Sequence, residues 1–313
     1  MKKIYHLCLS SHDEVLFRSE ADFNRGFNAL ALASLMTDSN LLADGLLTTH
    51  LHQLVQTDSP IETVFRMRYS YVRYFYTKYK RKGKLGERKP YCLEVEGYHH
   101  TLAALNYVNR QGLHHGLSPS PFGYPYCSSN AFFRKLLGKE SDKPLLPTNQ
   151  RYKYLPEGVS LPERYRMDTS GLLLREDIID TTLVETYYVS SRNYLFQMNK
   201  IGDEISRKEQ QEERSSSPVI TLELIEKGVP GMDIEQLLRN ESGKHNPQLI
   251  SDLELCTLID ETLLPKYYPG LTIYEASLSQ RADLYNRIWK GLWVSRHKRT
   301  TDAQLRRCLC LNP

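Results

Sequence analysis

Residues 1–140 predict an α+β fold. Strand-like and helix-like segments follow one another there in the order β-α-β-β-α-β, with a further helix after them, and the texture of the chain changes beyond Gly138. That order is a split-βαβ, ferredoxin-like arrangement, an antiparallel sheet with helices on one face and the other face available. A mostly α-helical C-terminal region is expected to follow it.

The elements are justified in turn by periodicity and punctuation. Residues 3–10 (KIYHLCLS) alternate as a strand does, and residues 21–37 carry helical apolar spacing with Ser19 or Asp22 placed to cap them. Residues 41–48 and 50–56 read as two strands joined tightly around Thr48 and Thr49. Pro60 opens a long helix to about residue 82, stopped by Gly83 and Gly86. Residues 91–96 (YCLEVE) form a fourth strand and residues 98–110 a third helix, ending at Gly112. Past Gly138, Pro144, Pro147, Pro156 and Pro162 mark an extended connector, and residues 177–201 look helical in two pieces broken near Ser190 and Ser191. Residues 203–218 are highly charged and end in a serine run, the composition of an exposed helix end and a flexible linker. Short helices are expected at 234–240, 248–264, 278–293 and 301–309. The chain thus divides into 1–140, 141–218 and 219–313.

With 313 residues, 40% hydrophobic and 25% charged, the chain has material for about two packed domains and is not globally disordered. No apolar run approaches the ~18 residues that span a bilayer, and the N-terminus reaches His6 and Ser10 too soon for a signal-peptide core. Six cysteines are scattered without a CxxC pair, which fits a reducing cytosol; Cys308 and Cys310 read as packing residues. Membrane, secreted and fibrous classes are excluded on these grounds.

The net charge of +4 hides an asymmetry: residues 1–145 carry 19 Lys and Arg against 13 Asp and Glu, and the remainder 22 against 24. The densest basic stretch holds Arg66, Arg68, Arg73, Lys78, Lys80, Arg81, Lys82, Lys84, Arg88 and Lys89, interleaved with Tyr69, Tyr71, Tyr74, Tyr76 and Tyr79. Cations that neutralise phosphates beside rings that stack on bases are the ingredients of single-strand binding. The bland reading is a solvated helix with tyrosines on its packing face.

Two constellations carry chemistry. On a strand, His50 and His52 project to the same side while Leu51 faces the core, so both imidazoles can ligate one divalent ion. On a helix, Tyr107 and Gln111 share a face one turn apart. His99, His100, His114 and His115 are assigned surface or packing positions, because adjacent helix positions face different ways.

With these residues in this order, the chain resembles the single-tyrosine HUH transposases of the insertion-sequence-200-like family, most closely the REP-associated branch. The resemblance covers about residues 3–138. It runs from the opening strand YHLCLS through HLH at 50–52 and the basic stretch RYSYVRYFYTKYKRKGKLGERK to LEVEGYHHTLAALNYV, which ends on Tyr107. It closes on GLSPSPFGYPYCSSNAFF, where Tyr124, Pro125, Ser128 and Ser129 match the family's ending. Departures are the Thr48–Thr49 pair, where the family usually has Pro-Asn, and Gln111–Gly112, where the REP-associated branch usually has Asn-Pro; Gln111 matches the third metal ligand of the insertion-sequence branch.

The resemblance implies cleavage of single-stranded or hairpin DNA in a bacterial cytoplasm. Tyr107 would be the nucleophile, forming a 5′-phosphotyrosine link. His50, His52 and Gln111 would hold Mg²⁺ or Mn²⁺, and the free 3′-OH of another strand would later reseal the DNA. Arg66, Arg68, Arg73, Lys78, Lys80, Arg81, Lys82, Arg88 and Lys89 would track the backbone, with Tyr69 and Tyr76 on the DNA side and two other tyrosines packed inward. A phenol of pKa about 10 needs help to deprotonate, and no residue is assigned to that task. Family members occur as monomers and as homodimers.

In the C-terminal half, a helix capped by Thr301 after the one at 278–298 resembles a helix-turn-helix, with Arg296, His297, Lys298, Arg299, Arg306 and Arg307 as phosphate contacts; a plain helical bundle with a basic end fits equally. Three functions stand side by side. They are a transposase or domesticated relative, a replication or mobilisation initiator, and a non-catalytic hairpin-binding regulator.

Overall fold

The computed structural model describes residues 2–11, 14–87, 89–138, 143–156, 158–199, 248–295 and 298–311. The linker expected at 203–218, the helix at 234–240, and Arg88, Arg296 and His297 lie outside them, as do the side chains of Lys298 and Arg299. At the centre is a four-stranded antiparallel sheet of β1 (Lys3–Ser10), β2 (Asn40–Leu46), β3 (His50–Thr57) and β4 (Tyr91–Val95), in the order β2-β3-β1-β4. Crossovers through α1 (Glu20–Met36) and α2 (Pro60–Tyr79) skip one strand position each, which is why every neighbouring pair is antiparallel. The α+β, ferredoxin-like class read from the sequence is the one observed.

The register decides what each face carries. Leu7 pairs with Gln53 and Leu9 with Leu51 on one side, while Cys8 pairs with His52 and Ser10 with His50 on the other. The leucine face is packed under α1 and α2: a Cβ on Gly26 of α1 would stand 3.1 Å from Leu46, which shares that face. The second face is not left available as expected. It is crossed by α3 (Gly97–Asn109), whose residues from Thr101 to Asn109 are all buried. Leu102, Ala103, Leu105 and Val108 give this helix an apolar surface too broad to leave in water, so it needs a sheet of its own to cover.

Helix ends follow local chemistry. Ser19 caps α1 and Asp22 completes a capping box, while α2 stops at Tyr79, short of residue 82, with Lys80 in the left-handed region at φ 51°. Asp22 also organises the join between the helices. Fully buried, its carboxylate accepts from Tyr74 Oη (2.9 Å), Tyr79 Oη (2.7 Å), Lys78 Nζ (2.6 Å) and the backbone N–H groups of Arg18 and Ser19. Burial and then the Asp22 charge push the phenols of Tyr71, Tyr74 and Tyr79 upward, so all three stay protonated donors.

The outer edge of β2 is covered by later chain. Leu46 N–H donates to the Tyr126 carbonyl, Asp44 N–H to Ser128 Oγ, and Asp180 N–H to the Leu41 carbonyl. The segment from Pro144 onward packs its Met167, Leu173, Ile178, Val184, Tyr188, Tyr194 and Met198 into the same core as the sheet. The helices Thr181–Tyr188 and Ser191–Asn199 are parted at Val189, where φ is 66°, next to the break read from Ser190 and Ser191.

A second core gathers Ile250, Leu255, Ile259, Leu264, Ile273, Leu284, Ile288, Leu305 and Leu309 from helices Asp252–Thr257, Leu264–Tyr267, Leu278–Ser295 and Asp302–Cys308 and the segments that adjoin them. The first two are continuous through a π-helical turn, Leu258–Leu263, where Pro265 has no N–H to offer and crowds the preceding turn. Thr301 caps the last helix as expected. A two-residue parallel pairing of Gln248–Leu249 with Lys298–Arg299 separates that helix from its predecessor, which departs from a simple helix-turn-helix. Arg307 turns inward to Asp252 at 2.8 Å, and Arg306 pairs with Asp302 one turn away. Among the described residues no helix is long and apolar enough to cross a membrane.

Replacing Asp22 by Ala strands several buried donors, so a loss of about 3–5 kcal/mol is expected in urea unfolding followed by circular dichroism. A loss below ~1 kcal/mol would show that this carboxylate does not organise the helix pair.

Candidate active site

The site forms where α3 ends against the histidine face. His52 stands on β3 opposite Cys8 of β1 and Gly45 of β2, and the three-strand register fixes what surrounds its ring. His50 and His52 lie side by side with ring centroids 4.9 Å apart, as strand alternation requires. Tyr107, buried at 4% exposure, sets its ring edge-on to His52 at 5.2 Å.

Gly45 lets the helix come this close. A Cβ there would meet the Val108 carbonyl oxygen at 2.7 Å and Gln111 Cγ at 3.2 Å. The absent side chain thus places Gln111 directly over the strand position paired with His52. Helix α3 ends at Asn109 and Gln111 opens a new short turn, Gln111–His114, so the two residues are not on one continuous helix. The amide still spans the break: its Nε2 donates to the Tyr107 carbonyl at 3.3 Å. That bond fixes which end of the amide points where. Oε1 is buried and has no hydrogen-bond partner among the described residues.

Both histidines are held through Nδ1. Thr49 Oγ1 lies 3.0 Å from His50 Nδ1, and His6 Nε2 lies 3.0 Å from His52 Nδ1. His6 is fully buried, stacks on His52 at 5.1 Å and meets Tyr107 edge-on at 5.9 Å. Sequence reasoning did not single it out. Alternation on β1 places it on one face, but only the β1–β3 pairing shows that this is the face of His52. His114 and His115 pack at the site itself. His114 is buried 5.9 Å from the Tyr107 ring, and His115 meets His50 at 5.1 Å, because the turn after α3 folds back over the site. His99 is exposed and His100 half-buried at the far end of α3.

The tail that the family resemblance picked out locks α3 to β2. Ser128 Oγ donates to Asn109 Oδ1 at 2.6 Å and accepts from Asp44 N–H, Tyr124 Oη donates to the Leu46 carbonyl at 2.7 Å, and Gly112 packs on the Tyr124 ring. Beside it, burial raises the Asp44 carboxyl pKa while the Arg175 guanidinium 2.9 Å away opposes the shift. Burial also raises the phenol of Tyr91, which faces His6.

The basic stretch is distributed differently from the expectation. Its helix, α2, lies on the leucine face, so Arg66, Arg68 and Arg73 are not beside Tyr107. Arg66 pairs with Glu62 at 2.7 Å, and Arg68 donates to the carbonyls of Leu85 and Glu87. Lys78 is bound to Asp22, Lys80 to Glu275 at 3.3 Å, and Arg81 to Glu14 at 3.1 Å. Tyr69 is 70% exposed, whereas Tyr76 donates to the Gly83 carbonyl. The loop after α2 does return to the histidine end of the sheet, through Glu87 N–H to the Ser10 carbonyl at 2.8 Å, and its Lys82 and Lys89 are exposed there.

Among the described residues, no group of three or more His, Cys, Asp or Glu side chains is arranged to hold a metal ion. No family model and no curated protein matches the chain. Among solved structures it is similar to that of the REP associates tyrosine transposase bound to a REP hairpin, with 9% identity, a TM-score of 0.37, and coverage of 44% of this chain and 82% of that one. A likeness this loose carries no transfer of residue roles.

A Gly45→Ala variant should lose about 1–3 kcal/mol in thermal or urea unfolding, because the added methyl must push α3 off the sheet. An unchanged stability would mean that α3 does not rest on β2 as described.

Proposed function

We propose that the chain is a cation-dependent single-stranded DNA endonuclease and strand transferase, a transposase or domesticated relative, acting on hairpin DNA through Tyr107. The observation that carries this reading is the buried, unsatisfied Gln111 oxygen of a side chain packed over Gly45, the strand partner of His52, where two imidazoles and a phenol meet. An orphaned buried acceptor is costly, and a cation or its hydration shell is what such an atom suits.

His50, His52 and Gln111 would hold the ion, with Nε2 the coordinating nitrogen of each ring because Nδ1 is the atom bonded to Thr49 or His6. Imidazole ligands suit Mn²⁺ better than Mg²⁺, which prefers oxygen and keeps its water. When bound, the ion supplies positive charge against a non-bridging oxygen of the scissile phosphate. The chain's own residues do the rest. The Tyr107 oxygen forms a bond to phosphorus, the bond from phosphorus to the 3′ oxygen breaks, and that oxygen leaves as a 3′-OH carrying the proton. The energy of the broken phosphodiester is retained in the phosphotyrosine link, so a second 3′-OH can reverse the step without a nucleotide cofactor. Lys82 and Lys89 on the loop beside Ser10 are placed to draw the DNA backbone toward the histidine end.

The burial of Tyr107 favours one second reading, a protein that binds hairpins with this fold without cutting them. Incubating the protein with labelled hairpin DNAs carrying single-stranded flanks separates the two. A covalent protein–DNA band on a denaturing gel is expected in Mn²⁺, weaker in Mg²⁺, and absent with EDTA, with Tyr107→Phe or with His50→Ala/His52→Ala. Hairpin binding without that band in either metal selects the second reading, and a band persisting in Tyr107→Phe removes the nucleophile.

A further inference from the structure

We infer that the C-terminal helical unit is a working part of the site, in which Asp252, acting through Thr48, positions His50. This deepens the proposed function and rests on His50 being a cation ligand.

The hairpin that presents His50 is the Thr48–Thr49 turn, and both its carbonyls and both its hydroxyls are engaged. Thr49 Oγ1 bonds His50 Nδ1, the Thr49 carbonyl accepts from Ser11 N–H at 2.8 Å, and the Thr48 carbonyl accepts from the N–H groups of Leu16 and Phe17 at 2.7 and 3.0 Å. The remaining group, the Thr48 hydroxyl, leaves the N-terminal domain altogether. It donates at 3.0 Å to Asp252 Oδ2, across 204 residues of sequence.

Asp252 is itself fixed. It begins a helix capped by Ser251, and the same oxygen receives Arg307 Nη2 at 2.8 Å and Nε at 3.2 Å. Arg307 thereby ties the helices Asp252–Thr257 and Asp302–Cys308 to a single carboxylate, and that carboxylate to the histidine hairpin.

The segment that braces the turn from the other side belongs to the same interface. Val15 is fully buried in the C-terminal core rather than in the sheet's. Arg18, buried, makes a two-pronged pair with Asp260 at 2.8 and 2.9 Å and donates to the Cys308 carbonyl at 2.9 Å. Attraction to Asp260 holds its guanidinium charged in spite of burial. The Leu16 and Phe17 amides that hold Thr48 therefore lie between Val15 and Arg18, both anchored in the C-terminal unit.

Outer-shell partners of a metal-binding histidine fix its ring, and their loss usually weakens binding rather than removing it. Thr48 stands one bond further out than Thr49, so its effect falls at the low end of that range. The test uses full-length protein and three variants: Thr48→Val, which keeps the shape and removes the donor; Thr48→Ser, which keeps the hydroxyl; and Asp252→Asn. Mn²⁺ binding to the DNA-free protein is read by electron paramagnetic resonance, alongside the Mn²⁺ dependence of cleavage and the thermal midpoint. Thr48→Val and Asp252→Asn should each bind Mn²⁺ about tenfold more weakly, and Thr48→Ser near the wild-type value. Cleavage by Thr48→Val should recover at saturating Mn²⁺, a split that general unfolding does not produce. Combining Thr48→Val with Asp252→Asn should weaken binding no further than either alone, because both act through one hydrogen bond. Wild-type Mn²⁺ affinity in Thr48→Val overturns the inference while leaving the proposed function standing. Absence of Mn²⁺ binding and of cleavage in the wild type removes the proposed function itself.

Discussion

Backbone meets backbone where α3 crosses β2. At Gly45 the strand carries no side chain, and the Val108 carbonyl and the Gln111 side chain occupy the space a methyl would need. Everything at the site depends on that approach. It sets Tyr107 edge-on to His52, brings the Gln111 amide over the strand partner of the same histidine, and allows the following turn to fold His114 and His115 inward. The tail from Tyr124 to Ser128 holds the arrangement by bonding to both partners at once, to Asn109 on the helix and to Asp44 and Leu46 on the strand.

A buried site of this kind is assembled from distant parts of the chain. His6 comes from the first strand and orients His52; Thr49 comes from the turn and orients His50. The leucine face of the sheet supplies the rigidity, with the Asp22 carboxylate tying the start of α1 to the end of α2. The C-terminal helices then close against Val15 and Arg18, which flank the amides holding the Thr48 carbonyl, and against Thr48 itself in the histidine hairpin. Part of the positive charge in the basic stretch serves these joints. Lys78, Lys80 and Arg81 are bound to acids from three different segments, while the loop beyond them carries the exposed Lys82 and Lys89.

Local chemistry was legible in the sequence and long-range pairing was not. Alternation in KIYHLCLS, the Ser19 cap and the Pro60 start placed β1, α1 and α2 to within a few residues, and period 2 put His50 and His52 on one side of β3. Tyr107 and Gln111 came together as expected, although by a side-chain bond across a helix break rather than along a continuous helix. In the basic aromatic stretch, charge density does not reveal that Lys78 is tied to a buried acceptor, Asp22, more than 50 residues earlier. His6 was invisible for the same reason: its partner lies 46 residues away, and only the register between β1 and β3 joins them. The face read as open is covered because the apolar surface of α3 needs a sheet to rest on, a demand that periodicity alone does not locate.

The central claim is that two imidazoles and one amide oxygen form a single cation site beside Tyr107. Pulsed electron paramagnetic resonance on Mn²⁺ added to full-length, ¹⁵N-histidine-labelled protein reads the donor atoms directly. Couplings to two imidazole nitrogens are expected, reduced to one by His52→Ala and unchanged in number by Tyr107→Phe. A Mn²⁺ spectrum with no nitrogen coupling, or one whose couplings survive His50→Ala/His52→Ala, would contradict it.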